Sequence, residues 1–222
     1  MSDEDDAGCV DTRPSPRSAE APRIFRAGDV VGDRWRLERF LDGGGMGMVW
    51  EATDLRLDEA AAVKLLNPQL VRTEEAQRRF LREARAAARL RGATVVSVLD
   101  FAIDRGTPYM AMELLRGESL ATRLQRGPLG WLATLALVRD VGRAIGRAHR
   151  EGIVHRDLKP GNIFLASTED GTVAKVLDFG IAKRAALEGQ PAGDALTASG
   201  SALGTPNYMS PEQVADARSV DR

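Results

Sequence analysis

The chain has 222 residues, 28% of them charged and 43% hydrophobic, with a formal net charge of -1, which is the balance of a soluble globular protein of one large or two small domains. Lys plus Arg (31) nearly cancels Asp plus Glu (32), so no global field draws in nucleic acid or an anionic membrane. A single cysteine, Cys9, excludes a disulfide framework, two histidines (His149 and His155) argue against a His-rich metal centre, and an acidic start at Asp3-Glu4-Asp5-Asp6 with no long apolar run points to the cytoplasm rather than to export or a membrane segment.

Residues 1–27 carry Pro14, Pro16, Pro22 and several acids and read as a solvated, disordered leader. The alternation in Trp35–Leu41 predicts a strand, and a second follows at Val49–Ala52 after a glycine cluster. Ala60–Leu66 predicts a third strand, ended by Asn67-Pro68. From Glu74 to Leu90, Phe80, Ala84, Ala87 and Ala88 recur at helical spacing, and Val95–Ile103 and Tyr109–Leu114 then predict two strands around Asp104-Arg105-Gly106. Beyond Gly117 the pattern is mainly helical. A short helix is expected at Leu120–Gln125, then a longer one up to Glu151 whose inward face is Leu135, Val138, Val141, Ile145 and Ala148. Short strands are expected at Asn162–Leu165 and Val173–Leu177, and residues 181–210 form a long loop of small residues.

Three stretches carry chemistry. Leu41-Asp42-Gly43-Gly44-Gly45-Met46-Gly47-Met48-Val49 lies between two strands, where glycines let backbone N–H groups approach a polyphosphate. It is neither a Walker A loop nor a Rossmann turn, and glycine-rich hairpins are common. Ala61-Ala62-Val63-Lys64 sets a lysine in an apolar strand, where its charge calls for an anion unless it snorkels to water. Glu83, on the inward half of the following helix, is the expected partner, against the plainer reading of a solvated charge among arginines. The sharpest signal is Ile153-Val154-His155-Arg156-Asp157-Leu158-Lys159-Pro160-Gly161-Asn162, followed by Asp178-Phe179-Gly180. Asp157 can accept a proton from a hydroxyl, Lys159 can neutralise a phosphoryl group, and Asn162 and Asp178 offer hard oxygen ligands suited to Mg²⁺.

These motifs, in this order and together with Gly204-Thr205-Pro206-Asn207-Tyr208-Met209-Ser210-Pro211-Glu212, resemble the eukaryotic-like serine/threonine protein kinases, in particular their bacterial branch. The resemblance runs from about residue 34 to the end of the chain. It implies an α+β, two-lobed fold: an antiparallel sheet with one helix at residues 28–115, and a mainly helical, incomplete second lobe at 116–222. It implies ATP and Mg²⁺ as cofactors and protein Ser/Thr hydroxyls as acceptors, the chain itself among them. Lys64 is then expected on the α/β-phosphates and paired with Glu83. Asp157 would be the catalytic base, Lys159 would support the γ-phosphate, and Asn162 and Asp178 would hold the metal. Met112 would take the gatekeeper position. The backbone of Glu113 and Leu115 would meet adenine, sandwiched by Leu41, Val49, Ala62 and Phe164. Thr197 and Ser199 are candidate activation-loop phosphosites, though they read equally as plain loop residues, and Thr205 would belong to the substrate pocket.

Two departures matter. The first glycine of the family's loop is Asp42 here, an acid expected to repel phosphate mildly. The chain also stops ten residues after Glu212, where the family continues with helices that cover the long helix, so an exposed apolar face is expected there. The alternative reading is therefore a shortened, non-catalytic module that binds nucleotide or a partner.

Overall fold

The structure is a computed structural model that describes residues 25–44, 47–179 and 206–216. Six strands form the first sheet: β1 (Val30–Val31), β2 (Trp35–Gly44), β3 (Gly47–Asp54), β4 (Glu59–Leu66), β5 (Val98–Asp104) and β6 (Thr107–Glu113). All pairings are antiparallel and the spatial order is β1-β2-β3-β4-β6-β5. The helix α1 (Glu74–Ala87) is inserted between β4 and β5.

Strand β4 explains why both faces of this sheet are apolar. Ala61, Val63 and Leu65 point to a cluster with Trp35, Leu37, Trp50 and Tyr109. Ala62 and Leu66, on the opposite face, join Phe80, Ala84 and Ala87 of α1. Helix α1 starts cleanly because Thr73 Oγ1 accepts the Ala76 N–H at 3.1 Å and Glu74 and Glu75 fill the first turn. Phe80 is fully buried, worth about 1.5–3 kcal/mol by area alone. Phe25, assigned to the leader from sequence, is buried in the first cluster. Residues 1–24 of the leader lie outside the described residues.

The second part is built on a three-stranded antiparallel sheet: β7 (Gly117–Ser119), β8 (Ile163–Thr168) and β9 (Gly171–Val176). Around it lie α2 (Leu120–Leu124), α3 (Trp131–Arg150) and α4 (Pro211–Asp216). Helix α3 turns only part of the expected face inward: Val141 and Ala148 pack inside, whereas Leu135 and Val138 do not. Ala144 and Ala148 are buried against Val176 and Phe179, and Leu137 and Val141 pack on Leu120 and Ile163. Trp131, Leu132, Leu135 and Val138 face outward at 54–79% exposure. Apolar residues lie on more than one side of the helix, so periodicity alone joined Leu135 and Val138 to the packed stripe; the expected uncovered apolar face is present.

The predicted strand Val95–Ile103 is also shorter than expected. Its first residues leave the first sheet and bond to the second: Val176 N–H donates to Thr94 O at 2.9 Å, and Val96 N–H to Val176 O at 3.3 Å. The two sheets are thus joined through residues 94–97.

Candidate active site

The β2–β3 hairpin forms the lip of the cleft. Gly44 pairs with Gly47 across it; Gly45 and Met46, at its tip, lie outside the described residues. Gly47 has φ +143°, and a Cβ there would stand 2.1 Å from Leu65 O, so only glycine fits. Asp42, standing where a glycine was expected, accepts the Gly43 N–H at 2.8 Å. Its carboxylate therefore occupies one backbone donor of the hairpin.

Strand register assembles the wall behind the hairpin. Val49 lies opposite Lys64, and Lys64 opposite Met110. Ala62 lies opposite Met112. Ala62 and Met112 belong to one apolar cluster, with Val49 and Leu115 packed against it. Met48 packs instead on the cluster of the other face, and Leu41 is exposed. Phe164 comes from below, on β8, beside Gly117.

The polar residues converge from three elements. Lys64 Nζ stands 2.5 Å from Asp178 Oδ2. The ammonium thus meets the carboxylate of Asp178; Glu83, the partner expected for it, is half-buried on α1. Lys159 Nζ is 3.1 Å from Asp157 Oδ2. Asn162 Nδ2 donates to Asp157 Oδ2 at 2.9 Å and to Asp157 O at 2.7 Å. That leaves the amide oxygen of Asn162 as the atom that could meet a cation. The two groups are joined because Leu177 N–H, one residue before Asp178, donates to Asn162 O at 2.9 Å. Asn162 and Asp178 are thereby held close together.

His155 supports the loop from beneath. Its Nδ1 accepts the Asp157 N–H at 3.2 Å, so Nε2 carries the proton and donates to Leu177 O at 2.8 Å. Burial pushes the His155 pKa down, which keeps the ring neutral and preserves that tautomer. Arg156 and Asp178 both sit at positive φ, +61° and +46°. Such strain in non-glycine residues gathers where a site is held in a fixed shape. The Arg156 carbonyl accepts Gln213 Nε2 at 2.8 Å, which ties α4 to the loop. Gln213 was not singled out from sequence, and nothing in its spacing marks it. Thr197, Ser199 and Thr205 lie outside the described residues.

The chain matches the protein kinase domain family over residues 35–221. The chain belongs to that family. It is similar to the serine/threonine-protein kinase PknA of Mycobacterium tuberculosis, at 41% identity over 194 residues, covering 85% of this chain and 43% of that protein. It is similar also to the serine/threonine-protein kinase pkn3 of Myxococcus xanthus, at 41% identity over 189 residues, covering 84% and 34%. Among solved structures, the PknI kinase domain of M. tuberculosis aligns with a TM-score of 0.64 at 30% identity, covering 71% of this chain and 64% of that one. This kinase chain therefore spans less than half the length of the curated relatives it matches. Its antiparallel sheet with one helix, followed by a partly helical second lobe, is the two-lobed kinase architecture expected from the motifs. Among the described residues, no helix is long and apolar enough to cross a membrane.

Proposed function

We propose that this kinase domain transfers the γ-phosphoryl group of Mg·ATP to Ser or Thr hydroxyls of proteins, its own activation loop at Thr197 or Ser199 included. The observation that carries the reading is the convergence of Lys64, Asp157, Lys159, Asn162 and Asp178 from β4, the loop before β8 and the end of β9. One carboxylate and one amide oxygen are hard donors that fit Mg²⁺, which keeps several waters and phosphate ligands besides. When bound, the ion neutralises charge on the phosphates.

In this reading adenine lies on Ala62, Val49, Met112 and Phe164, with backbone groups of Glu113 and Leu115 at its edge. Asp157 accepts the hydroxyl proton as the new P–O bond forms, and the bond from the γ-phosphorus to the β–γ bridging oxygen breaks, releasing ADP. Lys159, 3.1 Å from Asp157, holds the γ-phosphoryl oxygens close to the base. The work is positioning and charge neutralisation. The acceptor proteins are a proposal of class only: Ser/Thr-bearing chains in the cytoplasm.

The Asp42 carboxylate on Gly43 N–H favours a second reading, a module that binds nucleotide or a partner and transfers nothing. Mg²⁺-dependent labelling from γ-labelled ATP separates the two. The first reading expects labelling that falls by about 10²–10⁴-fold in Asp157→Asn. Thermal stabilisation by ATP with no labelling in the unsubstituted chain would establish the second.

A further inference from the structure

Lys175 takes no part in the chemistry above, yet it is firmly held. Its Nζ lies 2.7 Å from both carboxylate oxygens of Glu113. Glu113 Oε1 also accepts the Ser97 N–H at 2.7 Å, and Glu113 N–H donates to Ser97 O at 3.0 Å. The lysine side chain is only 12% exposed and the glutamate 29%. An ion pair so placed is screened less than a surface pair and is costly to leave half-made.

The three residues come from three elements. Ser97 lies in the segment joining α1 to β5, Glu113 ends β6 where the chain leaves the first sheet, and Lys175 is on β9, three residues before Asp178. The same strand is gripped twice more. Backbone bonds tie Val176 to Thr94 and Val96, and the buried Asp140 of α3 accepts the Ala174 N–H at 3.3 Å. Glu113 carries backbone assigned to the adenine edge, and β9 leads into the carboxylate assigned to the metal. A nucleotide in the cleft has to reach both ends at once.

We propose that Lys175 is a positioning residue for the nucleotide: its ion pair with Glu113, backed by Ser97, fixes the span between the base-binding edge and Asp178. The inference rests on the cleft being an ATP site. Without the clasp each ATP molecule would have to order that span itself, so affinity falls while the reacting groups are unchanged. Methionine at 175 keeps the length and packing of the stem and removes the charge.

The test is steady-state transfer to a generic protein acceptor at varied Mg·ATP, with calorimetric binding of a non-hydrolysable Mg·ATP analogue, on the full chain. Lys175→Met raises KM and Kd by about three- to tenfold, with kcat within about twofold of the unsubstituted chain. Lys175→Arg restores both constants. Lys175→Met adds nothing in a Glu113→Gln background, which keeps the acceptor for Ser97 N–H. If Lys175→Met does not fold, Lys175→Gln, which also removes the charge, carries the same expectation. A lowered melting temperature with unchanged KM and Kd overturns the clasp and leaves the site reading standing. An unsubstituted chain that binds no nucleotide overturns both.

Discussion

At the residue scale the cleft is a set of partnered charges. Asp157 is braced by Lys159, Asn162 and its own backbone bond to His155, so it is aimed before any substrate arrives. Away from the cleft, Arg34 grips Asp54 through Nε and Nη2, the shorter bond 2.6 Å. That guanidinium holds the Asp54 carboxyl below the usual aspartate range. A lowered folded value means the pair stabilises fully above the ordinary 3.8, and the contribution is lost as pH falls below that value and through the folded one. Melting temperature followed from pH 6 to pH 3 is expected to drop more steeply in the unsubstituted chain than in Asp54→Asn. Parallel curves would contradict the assignment. Residue motifs made Lys64, Asp157, Asn162 and Asp178 legible, because chemistry fixes their type and order. Lys175 carries the same signal: a lysine in the apolar run Val173-Ala174-Lys175-Val176 raises the same demand for an anion as Lys64 does.

At the scale of elements, the inward face of a helix was legible where one face only is apolar. Helix α1 has a polar face of Arg and Glu, and its inward residues Phe80, Ala84 and Ala87 are those expected. Helix α3 carries apolar residues on two faces, so spacing could not say which packs; only contact with β9 does. Strand β7 has just three residues, too few to show alternation. The start of β5 was misplaced because the backbone partner of Val96 is Val176, in another sheet, and pairing at such distance in the chain leaves no local mark. The two faces of α3 give a direct test in urea unfolding. Leu135→Ala and Val138→Ala, both on the exposed face, are expected to shift stability by no more than about 0.5 kcal/mol each. Ala144→Leu, at a position with no exposure, is expected to cost about 1–3 kcal/mol through overpacking. The reverse ranking would put the other face inside.

At the scale of the whole molecule, the fold's task is to bring distant parts of the chain to one place. Lys64 and Asp178 are 114 positions apart and in contact; Glu113 and Lys175 are 62 apart and in contact. The first sheet supplies the lip and ceiling, the β7–β9 sheet the floor, and residues 94–97 with the Glu113–Lys175 pair join them. The central claim is that Lys64 and Asp178, from opposite sides of that junction, serve one Mg·ATP. Calorimetric titration of Mg·ATP into the unsubstituted chain, Lys64→Met, Asp178→Asn and the double variant tests it most directly. The account predicts binding by the unsubstituted chain, at least about tenfold weaker binding in each single variant, and a double variant weaker by less than the product of the two. Equal affinity in all four proteins would contradict it.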